Sequence, residues 1–320
     1  MKVAVTGVSG HVGYVTHLLL KQHNIQRRYL LREPVEYIQN EDCVIGNLAT
    51  EDALEQLVKD CTTVIHIAGI VWPSFKKNKN VFDVNYQGTK KLFEIARKNG
   101  AKHFIYISSI HAFQESKSEV LDESTPLCEN SNIPYNFSKA ESERFLNQQK
   151  DVKITILNPT AIIGAGDFYI NGMNQIFKKI EQNKLPMVVE GGYNVVDVKD
   201  VANAIINAVR QQKEGKYLIA GNYITMYELA QLYGKINQLK VTKRVLGKTA
   251  MRTLAKLASP FEAFTKKPIS LNTYAVDTLL HGHQNISNKK AEKALGFSVR
   301  PIEQTLRDIH CWLNKKEISV

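Results

Sequence analysis

Short apolar runs alternate with amphipathic segments through the first half of the chain. Apolar runs rich in β-branched residues predict strands at 2–6, 28–31, 43–45, 64–67, 104–107 and 154–157. Between them, apolar residues at helical spacing predict helices at 12–22, 52–59, 81–98 and 135–148. Strands that alternate with helices form parallel sheets, and near-continuous apolar strands are covered on both faces. We therefore predict an α/β fold with a doubly wound parallel sheet.

The pattern changes after residue 160, where helical periodicity dominates. Helices are predicted at 170–183, 201–211, 226–238, 248–258, 289–295 and 302–313, with short strands at 187–189 and 217–219. We expect residues 1–160 to form one domain and residues 161–320 to form mainly a smaller, mostly helical substrate lobe. Later segments, such as 187–206, are expected to return to the first domain.

The charge balance is basic, and the cysteines are few. Lys and Arg number 42 against 31 Asp and Glu, which gives a net charge of +11. Because the lysines are scattered and no zinc-finger or helix-turn-helix pattern is present, we expect a solvated basic surface and no nucleic-acid partner. The four cysteines lie far apart, so neither a metal site nor a disulfide framework is indicated. With no secretory or membrane-spanning pattern, we expect a cytoplasmic protein.

A glycine-rich turn joins the first predicted strand to the first predicted helix. Glycines three apart allow a tight turn, close approach of the backbone to a pyrophosphate, and close packing of helix on strand. The free amides of the helix N-terminus then face the phosphates. In this strand–turn–helix context a dinucleotide site is favoured over a turn used only for packing. The residues concerned are Gly7, Ser9, Gly10, His11, Val12 and Gly13.

The end of the second predicted strand bears on which dinucleotide binds. An acidic residue there holds the ribose 2′-hydroxyl of NAD, whereas an arginine accommodates the 2′-phosphate of NADP. Arg32 takes that position, with Glu33 beside it and Arg28 on the same rim. We expect NADP. NAD is the alternative if the strand ends one residue later, because Glu33 would then take the ribose.

A tyrosine and a lysine form the candidate catalytic pair. Tyr135 and Lys139 lie four residues apart on a predicted helix and therefore share a face. A tyrosine that exchanges a proton with an alcohol or ketone must lower its pKa from about 10, and a nearby cation does so. The strand at 104–107 ends in Ser108 and Ser109, and ligands bind at the carboxyl ends of such strands. Ser109 is thus expected to hold a substrate oxygen beside Tyr135.

Further motifs extend this pattern over nearly the whole chain, most specifically in its first half. They are Thr6-Gly7-x-x-Gly10-x-x-Gly13, Gly46-Asn47-Leu48, His66-Ile67-Ala68-Gly69, Asn85-Tyr86-Gln87-Gly88-Thr89, Ser108-Ser109, Tyr135-x-x-x-Lys139, Asn158-Pro159, Val198-Lys199-Asp200-Val201, Ala291-x-x-x-Leu295-Gly296-Phe297 and the late Trp312. Together they resemble the extended short-chain dehydrogenase/reductases, the NAD(P)-dependent epimerase/dehydratase-like group, whose cofactor domain is a Rossmann fold.

The resemblance implies a role for each matching residue. Tyr135 would be the general acid/base, Lys139 would lower its pKa and hold the nicotinamide ribose, and Ser109 would hydrogen-bond the reacting oxygen. Asn85 would support the active-site backbone. Asn47 stands where the family has an adenine-contacting aspartate. The further cofactor residues that the resemblance implies are Leu48, Ala68, Gly69, Ser108 and Pro159.

Departures from the family narrow the expected substrate. The chain lacks the Asp-Glu pair that 4,6-dehydratases place after the serine strand, and it has Asn158-Pro159 where many sugar-nucleotide epimerases have Arg-Pro. The Asn-Pro-Thr-x-x-x-Gly pattern at 158–164 is more similar to the dihydroflavonol-reductase and 3β-hydroxysteroid-dehydrogenase branch. That branch acts on an alcohol/ketone pair of a fairly apolar substrate.

Several polar residues have both a functional and a plainer interpretation. His111, two residues past Ser109, and Asn158 are candidate substrate contacts; for His111 a loop histidine bonded to water or backbone is the alternative. We expect His66 to be packed and hydrogen-bonded near the cofactor. Asp200 is expected to cap a helix rather than to take part in catalysis.

The stretch 246–267 has apolar residues at helical spacing opposite basic ones. The apolar set is Leu246, Ala250, Leu254, Leu257, Phe261 and Phe264, and the basic set is Lys248, Arg252 and Lys256, followed by Lys266 and Lys267. A packed helix or a lid over the substrate is the favoured interpretation. Contact with a membrane surface is the alternative.

These features predict an NAD(P)-dependent oxidoreductase that moves a hydride between nicotinamide and a carbonyl or secondary alcohol of a small molecule. A sugar-nucleotide epimerase with tightly bound NAD is the alternative enzyme. A non-catalytic NADP-sensing or scaffold protein is the alternative of another class. A homodimer through the predicted helices 81–98 and 135–148 is possible.

Overall fold

The computed structural model describes residues 1–114, 120–170, 172–262, 272–282, 284–316 and 318. Its strands are β1 (Lys2–Thr6), β2 (Gln26–Leu31), β3 (Cys43–Ile45), β4 (Thr63–His66), β5 (His103–Ile107), β6 (Lys153–Pro159), β7 (Ala161–Ile163), β8 (Val188–Val189), β9 (Gly192–Asp197), β10 (Gly215–Ile219), β11 (Asn222–Thr225) and β12 (Val245–Leu246). Its α-helices are α1 (His11–Gln22), α2 (Glu51–Val58), α3 (Lys79–Phe82), α4 (Gly88–Lys98), α5 (Pro134–Asn147), α6 (Asn174–Glu181), α7 (Val198–Gln211), α8 (Met226–Asn237), α9 (Lys248–Glu262), α10 (Thr273–His281), α11 (Lys289–Leu295) and α12 (Ile302–Lys315).

A central sheet of parallel strands carries the site. Its strand order is β10-β6-β5-β4-β1-β2-β3. The register sets Thr6 of β1 opposite both Leu30 of β2 and His66 of β4, so the carboxyl ends of these strands meet at one edge. Chain order departs from sheet order at β1, where strands are added first to one side and then to the other. The predicted doubly wound parallel sheet is therefore confirmed.

Helices bury both faces of this sheet. On one face α1 and α11 pack against α7, over a core that includes Val5, Leu20 and Ile205. On the other face α2, α4 and α5 pack over Leu54, Leu92, Phe104 and their neighbours. Full burial of one such side chain contributes about 1.5–3 kcal/mol, which makes these two cores the main support of the cofactor edge.

The C-terminal lobe has its own core and is mostly helical, as predicted. Helices α6, α8, α9, α10 and α12 contribute to it together with β7, β8 and β9. Segment 187–206 returns to the sheet domain only in part: β8 and β9 stay in the lobe, whereas α7 packs on α1. Strand β10, expected in the lobe, is an edge strand of the central sheet. The division near residue 160 stays a prediction.

Two of the differences between the observed helices and the sequence prediction concern residues singled out in the sequence. The predicted helix 81–98 is divided, because a π-helical turn at Asp83–Gln87 separates α3 from α4. Helix α7 begins at Val198, and its N-cap is Asp197, whose carboxylate accepts the Lys199 amide at 2.7 Å. Asp200 is therefore not the cap. It lies in the first turn and accepts the Arg300 amide at 3.0 Å.

Candidate active site

Gly7, Gly10 and Gly13 of the glycine-rich segment are each favoured for a different structural reason. Gly7 has a φ of +80°, and a Cβ there would lie 2.5 Å from the Ala68 nitrogen. A Cβ on Gly13 would lie 2.0 Å from the Gly7 oxygen, so helix α1 packs directly on the turn. A Cβ on Gly10 would meet only the Gly7 oxygen, at an ordinary 3.5 Å. The protein itself thus leaves room beside Gly10, where a pyrophosphate needs close backbone approach.

The N-terminus of α1 fits an anionic ligand. Gly10 is the N-cap and offers no side-chain cap, and the first turn contains no acidic residue. Its first amides have no partner within the helix and carry the positive end of the helix dipole. His11 is held by a 3.0 Å contact between Nε2 and the Ala165 carbonyl, and burial lowers its pKa. The Tyr37 hydroxyl fixes the turn by donating to the Ser9 carbonyl at 2.8 Å. Val12 packs into the core beneath.

The rim at the end of β2 carries one unengaged arginine. Arg32 directly follows Leu31, the last residue of β2, and is exposed. Within the described residues its guanidinium has no hydrogen bond and no ion pair, whereas Arg28 is bound to Asp42 and to two carbonyls of α2 and its C-terminal turn. Arg28 is thus a structural residue, not a second rim residue for the cofactor. Among the described residues, Arg32 is thus an arginine of this rim whose guanidinium has no protein partner.

The loop after β3, where the resemblance implies an adenine contact, follows the strand that pairs with β2. Asn47 is exposed and its Oδ1 accepts the Ala49 amide at 2.8 Å, which forms an Asx-type turn. Its amide nitrogen has no partner among the described residues. Leu48 is buried and packs against α4, where a Cβ on Gly88 would lie 2.9 Å from the Leu48 Cβ. The loop is therefore anchored by Leu48 and presents Asn47 outward.

Tyr135 lies in the first turn of α5, beside the end of β5. Pro134 occupies the start of the helix, where its missing N–H costs nothing and its fixed φ favours helix. Only 8% of Tyr135 is exposed. Burial raises the pKa of Tyr135 to about 12; a hydrogen bond with Ser109 lowers it, and the nearby Tyr274 raises it. The structure thus brings together Tyr135 and Ser109, as predicted.

Lys139 lies one helical turn beyond Tyr135 and is 4% exposed. Its Nζ donates to the Ile107 carbonyl at 2.7 Å and lies 4.7 Å from the centroid of the Tyr106 ring. Burial lowers the pKa of Lys139 to about 7, against an opposing effect of Glu143. The sequence predicts that Lys139 lowers the pKa of Tyr135. In the structure Ser109 does so, and Lys139 is held at the end of β5.

A chain of hydrogen bonds joins β1 to the catalytic helix. The Thr89 hydroxyl donates to the Asn85 carbonyl at 2.5 Å, so His66 Nε2 must donate to Thr89, at 2.8 Å. His66 Nδ1 then accepts from the Thr6 hydroxyl at 2.7 Å, and burial lowers the pKa of His66 to about 3. His66 is therefore neutral, packed and hydrogen-bonded, as predicted. The Thr6 oxygen in turn accepts the Ala68 amide at 3.3 Å.

Asn85 lies in the π-helical turn, a feature that often marks functional sites. Its amide exchanges two hydrogen bonds with the backbone of Ile70, at 2.7 and 2.9 Å, which fixes the loop after Gly69. It also donates to the Ser138 hydroxyl at 3.0 Å, and Ser138 donates to the Tyr135 carbonyl at 2.8 Å. Asn85 thus supports the active-site backbone, in agreement with the sequence analysis.

Ser108 and Asn158 belong to a buried network behind the site. The Ser108 hydroxyl and the Asn158 amide both donate to Glu143 Oε1 at 2.5 Å, and Asn158 also donates to the Ser109 carbonyl at 3.0 Å. Asn158 is fully buried and Ser108 is 4% exposed. That Asn158 contacts substrate and that Ser108 binds cofactor stay predictions, although Glu143 already engages both side chains. Both position Ser109 and α5. Pro159 ends β6 next to them.

The C-terminal lobe reaches this site through Tyr274. Its hydroxyl donates to Asn136 Oδ1 at 3.2 Å and lies 3.4 Å from His111 Nδ1. His111 is part-buried, with its ring centroid 6.5 Å from that of Tyr135. His111 therefore lies at the mouth of the site, as expected. Tyr274 was missed from the sequence, because no motif marks it and only the fold brings α10 to α5.

Comparison with known proteins agrees with this geometry. Residues 3–220 match the NAD dependent epimerase/dehydratase family, and the chain belongs to that family. It is 23% identical to "Sterol demethylase protein B" of Methylococcus capsulatus, over 99% of both chains, and 26% identical to a "Putative dihydroflavonol 4-reductase" of Synechocystis, over 96% of this chain and 93% of that one. Among solved structures, the crystal structure of gox2253 superposes with a TM-score of 0.82 at 24% identity, over 100% and 99% of the two chains. The protein is an NAD(P)-dependent enzyme of the extended short-chain dehydrogenase/reductase type.

Proposed function

We propose that the protein reduces a ketone, or oxidises the matching secondary alcohol, on a bulky apolar small molecule. The observation that carries this proposal is the apolar cluster around the acid/base. Trp72, Ile133 and Tyr274 are buried against Tyr135, with Ile70 packed beside them. An apolar environment around the acid/base favours a ring or chain of hydrocarbon next to the reacting carbon. The names of two relatives, sterol and dihydroflavonol enzymes, are consistent with fused-ring substrates.

The chain's own residues supply the proton and the orientation. Ser109 holds the substrate oxygen, and Tyr135 gives or takes the proton at that oxygen. Lys139, whose Nζ lies at the end of β5, holds the nicotinamide ribose, and the hydrogen bond with Ser109 lowers the pKa of Tyr135. The nicotinamide, when bound, supplies or accepts the hydride. Buried Asn85, Ser108 and Asn158 keep these groups in place.

NADP is the proposed dinucleotide. Arg32 directly follows β2, and its guanidinium is engaged by no described residue. A guanidinium offers a fork of donors that matches a phosphate. The side chain of Glu33, next along the chain, is exposed and lies one residue further from the strand end. The 2′-phosphate therefore finds a cation at the first position after the strand.

The two alternatives make different demands on the site. A sugar-nucleotide epimerase must bind a polar sugar and a diphosphate, which the apolar cluster at Tyr135 does not favour. A sensing or scaffold protein needs no acid/base, yet Ser109, Tyr135 and Lys139 are kept together in buried positions. A catalytic role in reduction or oxidation is thus favoured.

A substrate panel tests the proposal. Purified protein is mixed with NADPH and, separately, with a keto-sterol, dihydroflavonol, small aldehydes and UDP-sugars, while absorbance of the reduced cofactor is followed. We expect NADPH consumption with a fused-ring ketone and none with UDP-sugars, with Tyr135→Phe as the inactive control. Interconversion of UDP-sugar epimers without net change in the cofactor would overturn the proposal in favour of an epimerase.

Two properties of the whole protein are also proposed. A cytoplasmic location is supported by its four cysteines, all of which are free. A homodimer through the helices at 81–98 and 135–148 is supported by Phe82, Tyr86 and Phe137, partly exposed aromatic side chains that pack together there. Sedimentation equilibrium of the wild type and of Phe137→Asp separates a dimer through this face from a monomer.

A further inference from the structure

One part of the C-terminal lobe concentrates positive charge. Residues 229–261 contain seven Lys and Arg and no Asp or Glu, although the whole chain has a net charge of only +11. We call six of its exposed residues the α9 surface: Lys243, Lys248, Arg252, Leu254, Lys256 and Leu257. None of these basic side chains forms an ion pair with a described residue. Glu190 accepts the backbone amide of Lys248 at 2.7 Å.

Two large apolar side chains lie within this basic surface. Leu254 is 45% exposed and Leu257 is 65% exposed, while Met251 and Ala255 of the same helix are fully buried. A spacing of three residues puts the two leucines on one side of α9, with Arg252 and Lys256 on the other side of its outward face. The packed-helix interpretation thus holds for the inner face and fails for Leu254 and Leu257. Phe264, Lys266 and Lys267 of the predicted stretch lie outside the described residues, as does the side chain of Phe261.

Helix α10 connects the α9 surface to the catalytic site. Arg252 contacts His281, in the last turn of α10, with 3.3 Å between Nη2 and Nε2. Tyr274, in the first turn of α10, contacts Asn136 and His111 at the site. Tyr274 and His281 are seven residues apart, which corresponds to about 10 Å along a helix. The length of one short helix, α10, therefore separates the α9 surface from the residues around Tyr135.

We propose that the α9 surface docks on an anionic phospholipid membrane, with Leu254 and Leu257 entering the headgroup region and the basic side chains contacting lipid phosphates. A basic face combined with exposed large apolar side chains is typical of segments that lie in a membrane interface. A nucleic acid would use the charges and leave the leucines unburied, so the observations favour lipid. None of the described helices could cross a bilayer, so the contact is peripheral. Docking places the site mouth near the membrane, where apolar small molecules partition.

Vesicle sedimentation of the full-length protein tests the charge component. Vesicles of phosphatidylcholine alone are compared with equimolar phosphatidylcholine and phosphatidylglycerol. We expect binding only to the anionic vesicles and a loss of binding as salt rises. The triple variant Lys243→Gln, Lys248→Gln, Lys256→Gln should bind about a hundredfold more weakly. The matched control Lys21→Gln, Lys59→Gln, Lys150→Gln removes the same charge from exposed lysines of the sheet domain, which form no ion pair with a described residue, and should bind like the wild type.

A tryptophan reporter tests the apolar component. The native Trp72 and Trp312 are buried, so vesicles should not change their fluorescence emission. Leu257→Trp adds an exposed indole whose emission can respond to lipid. Its emission should shift to the blue on anionic vesicles, whereas Ile45→Trp, at a site 55% exposed on β3, should not shift. Three outcomes would each overturn the proposal. The two lysine triple variants could lose vesicle binding equally, the protein could bind duplex DNA instead of vesicles, or it could self-associate without binding vesicles. Because binding is measured without substrate, these outcomes leave the proposed reaction untouched.

Discussion

Glu143 of the catalytic helix and Lys216 of the edge strand β10 form an ion pair inside the protein. Lys216 Nζ lies 3.2 Å from Glu143 Oε2, and the two side chains are 15% and 0% exposed. The other carboxylate oxygen of Glu143 accepts Ser108 and Asn158, from β5 and β6. Three strands and α5 are thus tied together directly behind Ser109 and Tyr135.

Breaking this pair on one side should destabilise the fold strongly. Lys216→Met leaves a buried carboxylate without its cation, which costs about 3–5 kcal/mol. The double variant Glu143→Gln, Lys216→Met removes both charges and should recover part of that loss. Urea unfolding measures both. Arg97→Met, at the exposed pair with Asp151, should change stability by less than about 1 kcal/mol. Additive losses in the double variant would contradict the coupling.

Two glycines of the first turn should separate folding from cofactor binding. Gly10→Ala meets no obstacle in the protein and has a backbone that alanine adopts, so the fold should be retained while dinucleotide affinity falls. Gly13→Ala drives a Cβ into the Gly7 backbone and should reduce stability as well. Thermal unfolding and cofactor titration by fluorescence measure the two effects. If the Gly10→Ala variant folds and binds NADPH as tightly as the wild type, this result would argue against a pyrophosphate at this turn.

Arg32 should decide the choice of dinucleotide. Charge-assisted hydrogen bonds to a phosphate contribute about 1.5–3 kcal/mol, or about ten- to a hundredfold in affinity. We expect tighter binding of NADPH than of NADH, with the ratio falling as salt rises. Arg32→Asp should reverse the preference and Glu33→Gln should not. A wild-type preference for NADH that Glu33→Gln abolishes would assign the ribose to Glu33 and exclude NADP as the cofactor.

Loss of the Tyr135 hydroxyl should remove turnover and little else. Tyr135→Phe should lower kcat by the factor of about 10²–10⁴ that is typical of general acid/base catalysis, with dinucleotide affinity nearly unchanged. Tyr227→Phe, outside the site, is the matched control. Retention of more than about a tenth of kcat by Tyr135→Phe would require another acid/base.

The buried Lys139 should make the stability of the cofactor-free protein depend on pH. Its pKa is about 7 in the fold and 10.5 as the reference value, so between these values the unfolded chain binds more protons than the folded one. The contribution of Lys139 to the free energy of unfolding therefore rises with pH across this window, by up to about 1.4 kcal/mol per pH unit. This contribution is lost as the pH falls towards 7. The difference in unfolding free energy between wild type and Lys139→Met should follow this slope from about pH 7 to 9. A flat difference would show that Lys139 stays charged.

Local periodicity is sufficient to predict the central sheet and the placement of Tyr135 and Lys139 on one helix. Tyr135 and Lys139 are four residues apart on one helix, and the glycine turn is contiguous, so both can be recognised in the sequence alone. The π-helical turn at Asn85 could not be recognised in the sequence, because it leaves the apolar spacing of 81–98 nearly unchanged. What reveals it is the pair of hydroxyls, on Thr89 and Ser142, that bind the Asn85 carbonyl in three dimensions.

Two predicted site residues, Asn158 and Ser108, are buried against Glu143 for a common physical reason. Asn158 and Ser108 end strands at the ligand edge, where sequence position predicts contact with a ligand. Whether such a side chain faces the cleft or the core depends on its partner. Here the partner is Glu143, which is known only once α5 is packed against β5 and β6. Tyr274 was missed for the converse reason, since its role arises from the docking of α10, far along the chain.

The late arrival of β10 has a consequence for synthesis on the ribosome. The chain leaves the central sheet after β6, builds β7, β8, β9 and α6 in the other lobe, and only then supplies α7 and β10. A nascent chain that ends near residue 160 has one sheet face without α7, an open edge at β6 and a Glu143 without its cation. Open edges and uncovered apolar faces are the usual sites of misassembly. The cofactor half should therefore need a chaperone's protection until about residue 220 has emerged, and a fragment that ends at the apparent domain boundary is expected to aggregate.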